Sequence, residues 1–501
     1  MILENTNVDK MTLKLSQIAG ALDVDLIGED CAFSQVSINT RTVSEGDLFI
    51  AIKGENFDAH EYLQQAEEKG ACAVVVEKIT ELALPQLQVK DTRTALGQIA
   101  SLWRDAFSLP VAAITGSCGK TTVKEMTTAI FQQAREQVLA TKGNLNNGIG
   151  VPLTLMHLNN EHKMAVIEIG ANHIDEIDQL ANYVKPDVAV ITNVAHAHVE
   201  GFGSIEGIAK AKAEIYNGLL NNGTAVINAD DTFADYWQEY CQTLVSEKSN
   251  IKAIKVLSFG LDKPADISAD YKPVDNGLEL TIKTPDGEKT IHLKQYGKHN
   301  VYNALAATAL ALSSGCTLGQ VKLGLENFTN ISGRLEQKAG IEGTIIFDDS
   351  YNANPGSVRA GIDAVQQLEG EAVLILGDMG ELGEKSEKLH YQLGIDAANL
   401  GVKQLFTVGI KSNETCKGFN SVIEKNDNKA LHCSTKDELV NEVKDYLQHS
   451  SSGKKKCKKE HKRKIVLLKG SRTMGMESVV DALLQKNSKP ENSNTTKKGV
   501  H

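Results

Sequence analysis

The chain has 501 residues, with 53 Lys and Arg against 64 Asp and Glu, a net charge of −11. At roughly 100–200 residues per domain this length corresponds to about three domains, enough to bury cores without disulfide or metal staples. Hydrophobic residues make up 41% and charged residues 23%, which excludes a wholly disordered chain, and the acidic balance argues against a nucleic-acid partner.

Eight Cys are scattered at 31, 72, 118, 241, 316, 416, 433 and 457, without a CxxC pair. That usage fits a reducing compartment, so a cytoplasmic protein is expected. The opening MILENTNVDKMTLKL has no apolar core of signal-peptide length, and no apolar run approaches ~18 residues, so no membrane insertion is expected.

In chain order, apolar runs predict strands at 48–52 (LFIAI) and 72–76 (CAVVV), with a helix over 61–69 between them. Strands follow at 111–115, 165–169, 188–192 and 224–228, with helices over 123–133, 209–216 and 300–313. The turn-rich stretch 251–298 reads as a small antiparallel patch inside this middle part. A last set of strands falls at 344–347, 372–376, 404–408 and 465–468. Continuous apolar strands separated by helices indicate parallel sheets covered on both faces, an α/β fold class. Breaks near 108–110 and 330–333 divide the chain into three units: 1–108, 109–331 and 332–485. The run GKKKCKKEHKRK (453–464) reads as a solvated loop before a strand, the alternative being a nucleic-acid or anionic-membrane patch, and the polar end 486–501 as a disordered tail.

The strongest local signal is TGSCGKTT, Thr115 to Thr122, between a strand and a helix. Gly116 and Gly119 allow backbone N–H groups near phosphate oxygens, and the helix N-terminus adds its positive dipole end. Lys120 is placed for the β- and γ-phosphates and Thr121 for Mg²⁺. The loop is shortened, because Ile114 stands where the longer GxxxxGK[ST] pattern has its first Gly.

Glu168 ends an apolar strand, either as an ordinary strand-end carboxylate or as a metal ligand beside the phosphate loop. His196 and His198 lie beyond the strand at 188–192, where α/β sheets bind ligands. Lys210 and Lys212 read as surface lysines. TKGNLNNGIGVP (141–152), with Asn144, Asn146 and Asn147, is a connector or a polar substrate loop. Three polar loops follow strands near the C-terminus: DDSYNANP (348–355), LGDMGELG (376–383) and KGSR (469–472). They suggest a binding face.

Together these segments resemble the Mur ligase family. The resemblance runs over nearly all of 1–485. It includes NTRTVSEGDLFIAIKGENFDAHEY (39–62), TGSCGKTTVKEM (115–126), NLNNGIGVPLTL (144–155), EIGANHIDEI (168–177) and ITNVAHAHVEGFGSIEGIAKAKAEIY (191–216). NADD (228–231), GKHNVYNALAA (297–307), SGRLE (332–336), and the NANP, LGDMGELG and KGSR loops follow in order. It implies an N-terminal UDP-binding domain, a central P-loop ATPase domain with a mostly parallel sheet, and a Rossmann-like C-terminal domain that closes over the site.

The implied activity is ATP- and Mg²⁺-dependent amide ligation through an acyl phosphate. The NANP and LGDMGELG loops favour the branch that adds D-Ala-D-Ala to UDP-MurNAc-tripeptide; separately, a monomer is expected, although no residue in the sequence reports the oligomeric state. Alternatives are addition of a single amino acid, a folylpolyglutamate synthase, or, from another class, a P-loop switch acting on a protein partner.

By the same resemblance, residues 115–122, Asn300, Arg334 and Asp349 serve ATP. Thr121, Glu168, His198 and a carbamylated Lys212 hold magnesium. Thr40, Arg41, Asn144, Asn146, Asn147, Asn352 and Asn354 serve the other substrates. Lys120, Lys212, His198 and Arg334 carry the chemistry. Asn39 stands where the family more commonly has Asp.

Overall fold

The computed structural model describes residues 11–54, 57–195, 199–247, 251–423, 429–451 and 462–485. The tail 486–501, most of the basic run, His196 and His198 lie outside the described residues. The chain divides into two compact units, Met1–Thr329 and Asn330–His501.

The first unit opens with a five-stranded sheet in the order Leu26–Ile27, Gln86–Gln88, Ala73–Val76, Leu48–Ile50, Val36–Ser37. Helix α1 (Thr92–Asp105) follows. Asp91 caps it, accepting from the Thr94 N–H at 2.6 Å. Its buried face carries Leu96, Ile99, Ala100 and Trp103, which join the first sheet to the helices of a second sheet in one continuous core. The Trp103 indole N–H donates to the Leu158 carbonyl at 2.9 Å, and buried Arg104 donates to the carbonyls of Val184 and Phe107.

The second sheet comprises β1 (Val111–Thr115), β2 (Val138–Ala140), β3 (Met164–Glu168), β4 (Val188–Ile191), β5 (Thr224–Asn228) and β6 (Lys255–Phe259). The order is β6-β5-β4-β1-β3-β2, parallel throughout. Strands β1, β3 and β4 are buried at every residue, as continuous apolar runs require in a sheet covered on both faces. Helices α2 (Lys120–Ala134), α3 (Ile205–Ala213) and α4 (Lys298–Ser313) belong to this layer.

Two expectations need correction here. Within 251–298, only Ser268–Val274, Gly277–Thr284 and Gly287–Leu293 form the antiparallel sheet, whereas β6 extends the parallel one. The helix expected at 209–216 is α3 followed by a 3-10 turn, Glu214–Gly218.

The second unit holds β7 (Glu336–Ala339), β8 (Ile345–Asp349), β9 (Glu371–Gly377), β10 (Gln404–Val408), β11 (Leu431–Cys433) and β12 (Lys464–Lys469). Their order is β7-β8-β12-β9-β10-β11, with only β7 antiparallel to its neighbour. Helices α5 (Pro355–Gln366), α6 (Ser386–Asn399), α7 (Ser412–Val422), α8 (Lys436–Ser451) and α9 (Glu477–Leu483) cover it. Val466 and Leu468 pack with α8 and α9 on one face, while Leu467 points to α5, where a Cβ on Gly361 would lie 3.0 Å from it. The chain therefore leaves adjacent strands β8 and β12 toward opposite faces, which opens a crevice between their carboxyl ends. Strand β12 starts at Lys464, inside the expected basic loop, because Lys464 pairs with Glu371 and Tyr446.

Candidate active site

Strand β1 sits between β3 and β4, so the loops after all three emerge at the same edge. Register places Glu168 beside Ile114 and Ile191 beside Thr115. Segments more than 50 residues apart thereby share one site.

The loop after β1 is stitched to the loop after β4. The Ser117 N–H donates to the Asn193 carbonyl at 2.9 Å and the Cys118 N–H to Asn193 Oδ1 at 3.0 Å. Asn193 Nδ2 donates back to the Cys118 carbonyl at 3.1 Å, and so does the Thr192 hydroxyl at 2.6 Å. The Ala195 N–H donates to Ser117 Oγ at 3.0 Å. Asp231 accepts from the Val194 N–H at 2.9 Å, fixing the chain just before His196. A Cβ on Gly116 (φ +150°) would fall 1.8 Å from Thr192 Oγ1, and one on Gly119 (φ +83°) 2.4 Å from Asn303 Oδ1, so only glycine fits this close approach. Lys120 Nζ donates to the Gly116 carbonyl at 2.6 Å. The Ser117 and Cys118 N–H groups are thus used inside the protein, which leaves the start of α2 to face an anion. Thr115, expected at the nucleotide, is fully buried at the end of β1.

Glu168 is 2% exposed. Its N–H donates to Thr141 Oγ1 and its Oε1 accepts from Asn146 Nδ2 at 2.8 Å. Lys124, buried on α2, holds the Thr141 carbonyl at 2.7 Å. Glu168 Oε2 is buried without a hydrogen-bond partner among the described residues. A buried carboxylate oxygen is costly unless it meets a cation, so Glu168 fits the magnesium site that the resemblance implies. Among the described residues no three His, Cys, Asp or Glu side chains gather around a metal position; His198 lies outside them.

Lys210 is exposed as expected, but Lys212 is only 3% exposed, which corrects its reading as a surface lysine. Residues two apart on a helix point to different faces, and Lys212 takes the inward one, 6.0 Å from the Phe202 ring centroid. Burial, and then the nearby Lys120 ammonium, lower its pKa to about 7.

Asn147 accepts from the N–H groups of Ile149 and Gly150, which caps the next helix, and Asn144 is exposed. Asn300 is buried; it donates to the Tyr296 carbonyl and accepts from Asn303. In the first sheet's domain, Asn39 accepts from the Arg41 N–H and Thr40 donates to Gln65 at 2.5 Å. Arg41 itself is exposed.

In the second unit, Asp349 accepts from the Leu335 N–H at 3.2 Å and pairs with Lys469, so both its oxygens are engaged. The Arg334 guanidinium lies 4.2 Å from the Tyr351 ring centroid. Asn354 caps α5 through the Ser357 N–H, and Asn352 accepts from the Ala353 N–H. Asn193, Asn303, Lys124 and Lys469 are the residues that motif reading passed over. Each stands in or beside a quoted motif, but only spatial contact reveals its use.

A glycine-rich phosphate loop at the edge of a parallel sheet, beside a buried carboxylate with an unsatisfied oxygen, defines a nucleotide-using α/β enzyme. Three family models cover most of the chain: Mur ligase family, catalytic domain (32–104), Mur ligase middle domain (114–311), and Mur ligase, glutamate ligase domain (333–472). The chain belongs to the Mur ligase family and has its three-domain α/β architecture.

It is 40% identical over 480 residues to the UDP-N-acetylmuramoyl-tripeptide--D-alanyl-D-alanine ligase of Escherichia coli K12, covering 94% of this chain and 98% of that protein. The ligase of the same name from Haemophilus influenzae is 42% identical, covering 95% and 99%. The crystal structure of MurF from Acinetobacter baumannii matches with a TM-score of 0.84 at 34% identity, covering 95% and 99%. MurF from Thermotoga maritima in complex with ADP matches at 0.73 and 25%, covering 89% and 96%. A folylpolyglutamate synthase from Mycobacterium tuberculosis, at 14% identity, covering 78% and 95%, and TM-score 0.61, shares the fold alone.

Proposed function

We propose that this chain is an ATP-dependent ligase that joins D-Ala-D-Ala to UDP-MurNAc-tripeptide, giving the pentapeptide precursor of peptidoglycan. The observation that carries this reading is the near full-length identity of 40–42% to ligases of that name. Its substrates are polar and charged, two of them carrying phosphates, in keeping with work in the cytoplasm, and no helix among the described residues is long and apolar enough to cross a membrane. Residues 1–108 take the UDP end through Thr40 and Arg41, 109–331 take ATP, and 332–485 supply the loops for the dipeptide, with Asn352 and Asn354 among them.

A carboxylate and an amine do not condense unaided near neutral pH. The tripeptide's terminal carboxylate attacks the γ-phosphorus, ADP leaves, and an acyl phosphate forms. The dipeptide amine then attacks the carbonyl carbon, inorganic phosphate departs, and the amide nitrogen loses a proton. Lys120 and the N–H groups at the start of α2 bind the phosphates and stabilise charge on the transferred group, with Arg334 as a further cation. Asn144, Asn146 and Asn147 shape the substrate loop, and Asn146 also orients Glu168.

Thr121, Glu168, His198 and a carbamylated Lys212 would hold Mg²⁺, which supplies positive charge against the β- and γ-phosphate oxygens. The depressed pKa of Lys212 supports the carbamate, since CO₂ adds to the neutral amine.

Phosphate release tests the reading. Release should require UDP-MurNAc-tripeptide and D-Ala-D-Ala together, and should stop when either is withheld. Full turnover with UDP-MurNAc-dipeptide and a free amino acid, or with a folate and glutamate, would assign the chain to another branch.

A further inference from the structure

The crevice between β8 and β12 holds a group of side chains that the reaction above leaves largely unassigned. Tyr351 stands two residues beyond β8. Arg472 stands three residues beyond Lys469, the last residue of β12. Both guanidinium groups of the region converge on Tyr351, Arg334 at 4.2 Å and Arg472 at 5.4 Å from the ring centroid.

The backbone explains the convergence. Strand β7 runs antiparallel to β8, so its start lies at the carboxyl end of β8. The Tyr351 N–H donates to the Gly333 carbonyl at 3.1 Å, which ties Tyr351 to the Arg334 turn. Asp349 and Lys469 are in register on neighbouring strands and form an ion pair in which Lys469 is buried, fixing the Arg472 loop against the Tyr351 loop. The Ser471 N–H donates to the Asp378 carbonyl at 2.8 Å, which adds the LGDMGELG loop.

Two cations around one ring attract an anion. Arg472 already shows what it accepts: it pairs with the carboxylate of Glu477, the first residue of α9. That pair is solvent-exposed, with side-chain exposures of 63% and 41%, and exposed pairs contribute little. A ligand carboxylate can therefore replace Glu477 at small cost. Arg334 is the more enclosed of the two and already has a role toward the phosphoryl group.

We propose that Arg472, steadied by the Tyr351 ring, binds the C-terminal carboxylate of the incoming dipeptide. The proposal rests on the reading of the chain as a D-Ala-D-Ala ligase. The dipeptide is a zwitterion with two methyl side chains, so its carboxylate is its one anionic handle. A forked guanidinium that grips this end leaves the amine, the nucleophile, at the other. The Ser471 and Thr473 hydroxyls, 3.1 Å apart, lie in the same turn.

The test is phosphate release by the full chain with two acceptors, D-Ala-D-Ala and its C-terminal amide, D-Ala-D-alaninamide. Arg472→Ala should raise the KM for D-Ala-D-Ala by about 10- to 100-fold, the scale of a lost charge-assisted pair. Arg472→Lys should raise it less, and the KM for ATP should not move. With the amide, which offers Arg472 only a neutral carbonyl oxygen, Arg472→Ala should lose at most about tenfold in kcat/KM, clearly less than with D-Ala-D-Ala. If the amide does not turn over, its strength as a competitor of the dipeptide serves as the comparison.

An equal loss with both acceptors would overturn the assignment, as would a rise in the KM for ATP, which would move Arg472 to the nucleotide. If Arg472→Ala fails to fold by thermal melting, Arg472→Gln and Arg472→Lys carry the comparison. Absence of any turnover of D-Ala-D-Ala by wild type would be a different result, because it would remove the parent reading itself.

Discussion

Asn193 does with one side chain what a neighbouring strand does with its backbone. It accepts from the Cys118 N–H and donates to the Cys118 carbonyl, while its own carbonyl takes the Ser117 N–H. It thus sets the shape of the phosphate loop without facing the phosphate. Asn193→Ala removes both hydrogen bonds that this side chain makes to the Cys118 backbone, worth about 0.5–1.5 kcal/mol each. The expected outcome is a rise of about tenfold or more in the KM for ATP, and a matching loss of ADP affinity by calorimetry. An unchanged ADP affinity would reduce Asn193 to a spacer. Lys120 and Thr121 were legible because strand, glycines and helix surround them. Asn193 was not, since an asparagine in a loop carries no local signature and its partner is 75 residues away. Glu168 was legible as a strand-end carboxylate, but its orphaned oxygen is a property of packing.

Helix α6 shows how an element positions a loop. His390 is fully buried on it, and its Nε2 accepts from the Met379 N–H at 3.0 Å. Nδ1 must then carry the proton, and it donates to the Ser386 carbonyl at 2.8 Å. One imidazole therefore ties the LGDMGELG loop to the start of α6. Burial lowers its pKa, partly offset by the Ser386 carbonyl and the Asp378 and Glu414 charges, and reinforced by Lys411.

The native state thus binds its proton less readily than the unfolded chain, whose value is near 6.5. Stability is present above that pH and is lost as pH falls below it toward the depressed native value. His390→Ala should cost about 2–3 kcal/mol at pH 7.5, from an unmet N–H and lost packing. Urea unfolding at pH 7.5 and 5.5 should show a steeper acid loss in wild type than in the variant. Equal acid sensitivity in the two proteins would place it elsewhere. The sequence marked 376–383 as a polar loop but did not indicate that a histidine eleven residues beyond Met379 would hold it.

Across the first unit, α1 welds the small sheet to the parallel sheet through a single core, in which Trp103 is buried. Trp103→Ala should destabilise the first unit by about 3–5 kcal/mol, the usual range for a buried aromatic. Urea unfolding checks this, and a loss under about 1 kcal/mol would mean that the two sheets hold together by other contacts.

The sequence by itself determined the α/β class and most strand positions, because parallel strands buried on both faces must be continuous apolar runs. It also determined the phosphate loop, where glycine, lysine and threonine are needed at set spacings, and the family, whose motifs follow one another in order. Tertiary structure alone decided the rest. Strand order placed β1 between β3 and β4 and so gathered distant loops. Packing turned Lys212 inward and used Asn354 and Asn147 as helix caps. Strand exit toward opposite faces set Arg472 beside Tyr351. The physical reason is that periodicity records which side of its own element a residue faces. Which partner waits on that side depends on how elements far apart in the chain pack together, and no local pattern contains that.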